Sequence, residues 1–190
     1  MEIRVRAVRG DEWKQVKELR LAALRDPAAP VAFVETYEQA LAQPDSFWQD
    51  RTTGASAGTA VRQFVAEAGD GVWAGTLVVL VEKAGEASVF GDEVSQGGAQ
   101  LVAVYVRPEW RGRGVLGELI DAGSRWAWSV DGVERVRLFV HEENGRARAA
   151  YEKCGFSLTG VSVPVAGDGD EPVPGARELE MVAGRQGDAG

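Results

Sequence analysis

The sequence has one cysteine, Cys154, and one histidine, His141, among 190 residues. A disulfide within the chain is therefore excluded, and neither a thiolate cluster nor any other metal site is expected. No apolar run is long. The longest, around Trp73–Val81, falls well short of the about 20 residues that cross a bilayer as a helix, and it reads as a buried strand. The opening segment Met1–Trp13 lacks the apolar run of a secretory signal. These absences together predict a cytoplasmic protein with its thiol reduced. Basic residues are also in the minority, 21 Lys and Arg against 29 Asp and Glu, for a formal net charge of −8. A surface this acidic repels phosphate backbones, so nucleic acid is not an expected partner. An anionic ligand needs a local basic pocket set against that background.

What is present is a globular composition, with 45% hydrophobic and 26% charged residues, enough for one domain with its own core. The pattern predicts a single domain over residues 1–183 and a disordered tail over 184–190. Ile3–Val8 alternates as a strand. Asp11 is the expected N-cap of a helix that runs to about Arg25, with Trp13, Val16, Leu19, Leu21 and Leu24 on its apolar side and Pro27 and Pro30 ending it. Short helices are expected over Glu35–Ala42 and Asp45–Arg51, then a loop over Thr52–Thr59. Val61–Glu67 and Val72–Glu82 form a hairpin around Ala68–Gly71. A loop over Gly85–Gly98 leads to a strand at Gln100–Val106, a helix at Gly114–Trp128, a strand at Val133–Val140 and a helix at Asn144–Lys153. Strands at Phe156–Val163 and Arg177–Val182 close the chain around a Pro/Gly/Asp loop. A hairpin-rich first half joined to a βαβ crossover implies an α/β fold, a mixed sheet with helices on both faces.

The segment Val104–Val115 carries the clearest chemistry. A strand ends at Pro108, a turn rich in arginine and glycine follows, and a helix opens at once. Gly112 and Gly114 let the backbone approach a ligand. Successive N–H groups in such a turn, with the helix dipole behind them, form an anion cradle. Arg107, Arg111 and Arg113 add charge. The turn has no Gly-Lys-Ser/Thr, so it is not a nucleotide P-loop, and its glycine spacing is not that of a dinucleotide fold. Taken alone, it also fits a plain turn with solvated arginines.

A second motif, Asn144–Phe156, follows the next strand. Asn144 and Tyr151 stand seven residues apart, two helical turns, and so share a face, with the small Ala147 between them. Gly155 is a natural helix stop. In a purely structural role Asn144 caps the helix and Tyr151 packs in the core.

The two motifs together resemble the signature of the GNAT superfamily of N-acetyltransferases. The signature reads Arg/Gln-x-x-Gly-x-Gly/Ala on the turn, then Asn-x-x-Ala-x-x-x-Tyr-Glu-Lys-x-Gly-Phe. The resemblance covers about residues 99–160 in its motifs and nearly the whole chain in element order. It implies the acyl-CoA N-acyltransferase fold: a mixed, mostly antiparallel central sheet of about seven strands with a central parallel splay. It implies acetyl-CoA as cosubstrate, with Arg111, Gly112, Arg113, Gly114, Val115, Leu116 and Gly117 around its pyrophosphate. Val104, Tyr105 and Val106 would pair with the pantetheine arm, Asn144 would bind that arm, and Tyr151 would be the general acid. Leu116 departs from the pattern, which has Gly or Ala there; the glycine is displaced to Gly117.

Many relatives carry a glutamate base where this chain has Gln100, which cannot act as one. Glu67, His141, Glu142, Glu143 or a water remain as bases. The implied acceptor is a primary amine of a small molecule or peptide. Phe33, Tyr37, Phe47 and Trp48 could line its site, and Glu35 and Glu38 hint at a cationic amine. No membrane partner is expected, and a homodimer stays open. A non-catalytic acyl-CoA-binding sensor is the alternative function.

Overall fold

The computed structural model describes residues 2–88, 93–166 and 172–184. Among these, seven strands and five α-helices follow one another: β1 (Ile3–Ala7), α1 (Trp13–Leu24), α2 (Tyr37–Ala42), α3 (Asp45–Ala57), β2 (Val61–Ala68), β3 (Trp73–Glu82), β4 (Gly98–Val106), α4 (Val115–Trp128), β5 (Val136–His141), α5 (Gly145–Lys153), β6 (Ser157–Ala166) and β7 (Pro172–Ala183). Single 3₁₀ turns lie at Ala29–Val31 and Pro108–Trp110. The strands form one sheet in the order β1-β2-β3-β4-β5-β7-β6. Among the described residues the one parallel pair is β4 with β5, so the sheet is mixed and mostly antiparallel, as expected. Residues 185–190 of the expected tail, and 89–92 and 167–171 of the two expected loops, lie outside the described residues.

Alternation along the strands divides the core between two faces. Phe64, Ala66, Leu77, Val79, Leu101, Leu138 and Val140 face α4 and α5, where Val115, Leu119, Ile120 and Ala127 meet them. Gly123 of α4 allows the closest approach: a Cβ there would stand 2.6 Å from Leu77 Cδ2. Val65, Trp73 and Tyr105 face the other way, against Val16, Leu19 and Ala23 of α1 and Trp48 of α3.

Three expected boundaries are corrected. The closing loop is shorter than expected, because β6 runs on to Ala166 and β7 already begins at Pro172, ahead of the expected Arg177. Asp11 does not cap α1, which begins behind Glu12 with no side-chain cap. The Glu12 carboxylate is instead taken up by Arg6, at 2.8 and 2.9 Å, and by the Arg9 backbone N–H at 2.7 Å. The expected loop over Thr52–Thr59 is largely helix. There α3 continues through Ala57 because Thr52 and Ala55 are buried, while Gly54 stands where a side chain would meet nothing. Packing of that face outweighs the weak helix propensity of the glycine and threonines.

The parallel pair places the site. β4 and β5 are in register only over Ala99–Leu101 and Val136–Leu138, and the strands part beyond that point. Just past it β4 carries an extra residue: Val78 pairs with Val102 and Thr76 with Tyr105, which leaves Ala103 and Val104 opposite a single position. Ala103, at φ 51°, is the one non-glycine residue with positive φ among those described. This is a β-bulge, which leaves the extra residue outside the ladder.

Candidate active site

A cavity of about 660 Å³ opens where β4 and β5 part. Its walls are the end of β4 (Val104–Val106), the start of α4, the inner face of α5 and the segment around Ala28–Phe33. Of the sequence-predicted residues, Val104, Tyr105, Val106, Arg111, Gly112, Gly114, Val115, Leu116, Gly117, Asn144 and Tyr151 all line it.

The floor at the α4 end is a row of unspent donors. Gly114, at φ 83°, turns the chain into α4 as its N-cap, and no side chain caps the helix. The backbone N–H groups of Gly112 through Gly117 find no acceptor among the described residues. Four such orphan donors at a helix start are the usual number, and an anion satisfies them well.

The arginines serve differently from what their spacing suggests. Arg111 lines the cavity, but its Nε donates to the Val106 carbonyl at 2.9 Å and its Nη2 to the buried carboxylate of Asp26. Arg113 is exposed outside the cavity, its guanidinium 5.5 Å from the Trp110 ring. Arg107 donates to the Trp73 carbonyl and to Glu18. The cations at the cavity without a carboxylate partner among the described residues are Arg146 and Lys153 of α5, neither of which the sequence singled out.

Asn144 caps α5: its Oδ1 accepts the Ala147 N–H at 3.2 Å, and its Nδ2 donates to the Val31 carbonyl at 3.4 Å. It thus fixes α5 against the opposite cavity wall. Tyr151 packs edge-on to Phe156 at 6.4 Å, and its hydroxyl has no hydrogen-bond partner among the described residues. Burial pushes its pKa well above the ordinary tyrosine value, and the neighbouring Cys154 adds to the effect. Burial likewise raises the Cys154 thiol.

The base candidates separate cleanly. None lines the cavity. The Glu67 carboxylate is bound to Arg6 at 2.9 Å, and that hydrogen bond holds it below the usual carboxylate range. Glu142 accepts the Arg177 backbone N–H at 3.0 Å, and Glu143 is exposed. Gln100 is buried with its Oε1 unpartnered. His141, at the end of β5, accepts the Glu143 N–H at Nδ1, 3.2 Å away. It lies directly across the ladder from Glu178 of β7, on the sheet face of Tyr105. Burial raises the Glu178 pKa, and attraction to His141 opposes that rise. The sequence left Glu178 unnoticed because its pairing spans 37 residues and no local motif marks it.

Of the expected acceptor wall, Phe33 lines the cavity, Trp48 packs into the second core and lines a smaller pocket there, and Tyr37 and Phe47 pack into the second core. The hint of a cationic amine does not hold at Glu35. Its carboxylate is already bound by Arg20 at 2.8 and 2.9 Å, and Glu38 is exposed.

The family model for the Acetyltransferase (GNAT) family matches residues 13–156. No curated protein sequence matches the chain. The fold is similar to that of a GNAT-family acetyltransferase from Streptococcus pneumoniae, at 13% identity and TM-score 0.69, covering 95% of this chain and 98% of that one. It is similar to the PaiA N-acetyltransferase of Thermoplasma acidophilum, solved in complex with coenzyme A, at 16% identity and TM-score 0.68, covering 97% and 99%. A phosphinothricin acetyltransferase from Sinorhizobium meliloti, solved with AcCoA, shares 16% identity at TM-score 0.69, covering 97% of this chain and 89% of its own.

Proposed function

Because the chain belongs to the GNAT acetyltransferase family, we propose that it transfers the acetyl group of acetyl-CoA directly to a primary amine of a small molecule or peptide. The observation that carries this reading is the meeting, in one cavity, of the uncapped start of α4, the free edge of β4 past the splay and the unpartnered hydroxyl of Tyr151. Acetyl-CoA supplies an activated thioester when bound.

The residues present fit it. The N–H row of Gly112–Gly117 suits a diphosphate, and Arg146 and Lys153 supply charge at that cavity. The edge of β4 at Val104–Val106 suits an amide-bearing chain laid alongside it as an added strand. The bulge at Ala103–Val104 frees backbone groups at the point where a thioester carbonyl needs polarising. Asn144 acts through position, by holding α5, and with it Tyr151, to the far wall. The Tyr151 hydroxyl donates to the developing thiolate. The pair His141–Glu178, outside the cavity lining and on the Tyr105 face of the sheet, takes the proton of an amine that arrives from that face.

Acetyl-CoA titrated into the protein by calorimetry, followed by a screen of amines for thiol release, tests the proposal. Saturable binding with turnover of at least one amine supports it. Absence of binding at millimolar acetyl-CoA overturns it, and binding without turnover of any amine leaves a sensor in its place.

A further inference from the structure

A second, smaller pocket lies on the α1–α3 face of the sheet, lined by Arg20, Trp48, Arg51, Gln63, Ala103 and Tyr105 among others. Tyr105 lines the large cavity as well, and Val104, between Ala103 and Tyr105, belongs to the large cavity. The two spaces therefore touch the same few residues of β4, at the bulge. The open volume of the small pocket is about 20 Å³. That is more than the ~10–15 Å³ a single enclosed water needs, room for a small polar head group of about two or three heavy atoms, so the pocket takes the head of a ligand and not its whole length.

The polar groups around it carry an unbalanced positive charge. Arg51 has no carboxylate partner among the described residues; its guanidinium rests 5.9 Å from the Phe47 ring. Arg20 shares its charge with Glu35 and stacks 4.5 Å over Phe33. The Trp48 indole N–H is buried without a partner, in a residue 1% exposed. Gln63 is spent on Thr76 at 3.0 Å, and Thr76 on the Phe64 carbonyl at 2.8 Å. No acidic residue lines the pocket. Burial lowers the Arg20 pKa, the Glu35 hydrogen bond opposes this, and the charge of Arg51 lowers it further, so the two guanidiniums repel across this space. A cationic polyamine would add to that repulsion. A carboxylate relieves it and gives the guanidiniums their best hydrogen-bonding partner.

We propose that this pocket holds a carboxylate of the amine acceptor, which makes the acceptor an amino acid or a close relative of one. The inference rests on the acetyl-transfer reading above. Tyr105 lines both the pocket and the large cavity, and Ala103 and Val104 beside it line one each, so a carboxylate held in the pocket lies next to the cavity from which its amine is acetylated, the short spacing of an α-amino acid.

The test compares each standard amino acid with its own primary amide as acceptor at saturating acetyl-CoA, followed by thiol release. At least one free acid should exceed its amide in kcat/KM by about tenfold to a hundredfold, the range for a lost charge-assisted hydrogen bond. Arg51→Ala should abolish that preference through KM, Arg51→Lys should keep part of it, and both should bind acetyl-CoA with unchanged affinity. Amides that match or beat their acids overturn the proposal. So does a protein that binds acetyl-CoA and acetylates other amines but no amino acid. A protein that binds no acetyl-CoA overturns both this inference and the acetyl-transfer reading, which separates the two failures.

Discussion

Arg111 is bound to Asp26, and the pair ties the strand-to-helix turn before α4 to the segment that follows α1. Asp26 is 4% exposed at its side chain and also accepts the Ala28 N–H at 2.9 Å, so the carboxylate organises one cavity wall and Arg111 fastens the other to it. Arg111→Ala should therefore cost about 1–3 kcal/mol of stability before any ligand is added, because it leaves a buried carboxylate short of its partner. Urea unfolding of the ligand-free protein measures this. Unchanged stability together with lost acetyl-CoA binding would return Arg111 to the role of a free phosphate ligand.

The same residue shows what the sequence makes legible. The Gly112–Gly117 turn announced an anion cradle because glycine, a strand end and a helix start are local features, and the structure has them in that order. The partner of Arg111 lies 85 residues away, and no spacing rule reaches that far. The bulge at Ala103 was equally hidden: it is a mismatch between two strands, and neither strand alone records it. Glu178 is a tertiary neighbour of His141 and belongs to no motif. The extension of α3 through Ala57 went unread because Thr52, Gly54 and Gly58 look like loop residues until the burial of Thr52 is known. The β2–β3 hairpin and the parallel β4–β5 crossover, in contrast, rest on a local turn and one helix-bearing connection and were readable, whereas the insertion of β7 between β5 and β6 was not.

Arg6 sits between two carboxylates, Glu12 and Glu67, each within 2.9 Å. Burial pushes Glu12 up, but Arg6 and Arg9 outweigh it and hold it below the usual carboxylate range; Arg6 holds Glu67 there as well. Groups with depressed folded-state pKa values contribute stability above their unfolded pKa, about 4.3, and lose it as pH falls through the folded value. Acid unfolding should thus begin below about pH 4.3, and Arg6→Met should move its midpoint to higher pH. The check is circular dichroism along a pH titration. An unmoved midpoint would mean that other groups set acid stability.

Glu178 titrates with the opposite sign. Its folded-state pKa is raised by burial, so the fold favours the protonated form. That contribution is present below about pH 4.3 and is lost as pH rises through the folded value. Glu178→Gln should therefore raise Tm at neutral pH. If Glu178 and His141 also take the amine proton, the same change should lower kcat/KM by about 10²-fold and flatten the acidic limb of the pH–rate profile, with acetyl-CoA affinity unchanged. A higher Tm with unaltered turnover would leave Glu178 as a merely buried carboxylate and give the proton to water.

Tyr151 presents the sharpest test. Tyr151 lines the cavity, its hydroxyl has no hydrogen-bond partner among the described residues, and burial keeps it protonated at every pH where the enzyme works. The raised pKa also limits what it can do. A thiol has an ordinary pKa of about 8.5, so full proton transfer from Tyr151 to a leaving thiolate runs uphill. A hydrogen bond to that thiolate as its charge develops does not, and it acts in the transition state more than in the bound ground state. Tyr151→Phe keeps the ring and its contact with Phe156 and removes only the donor. The expected result is a fall in single-turnover rate of about 10²–10³, with acetyl-CoA affinity and Tm close to those of the unsubstituted protein. The loss should shrink with acyl donors whose thiols are more acidic, because their thiolates need less help to leave. A loss equal for all donors would point to misplacement of the thioester, and a wild-type rate would make Tyr151 a packing residue of α5 alone.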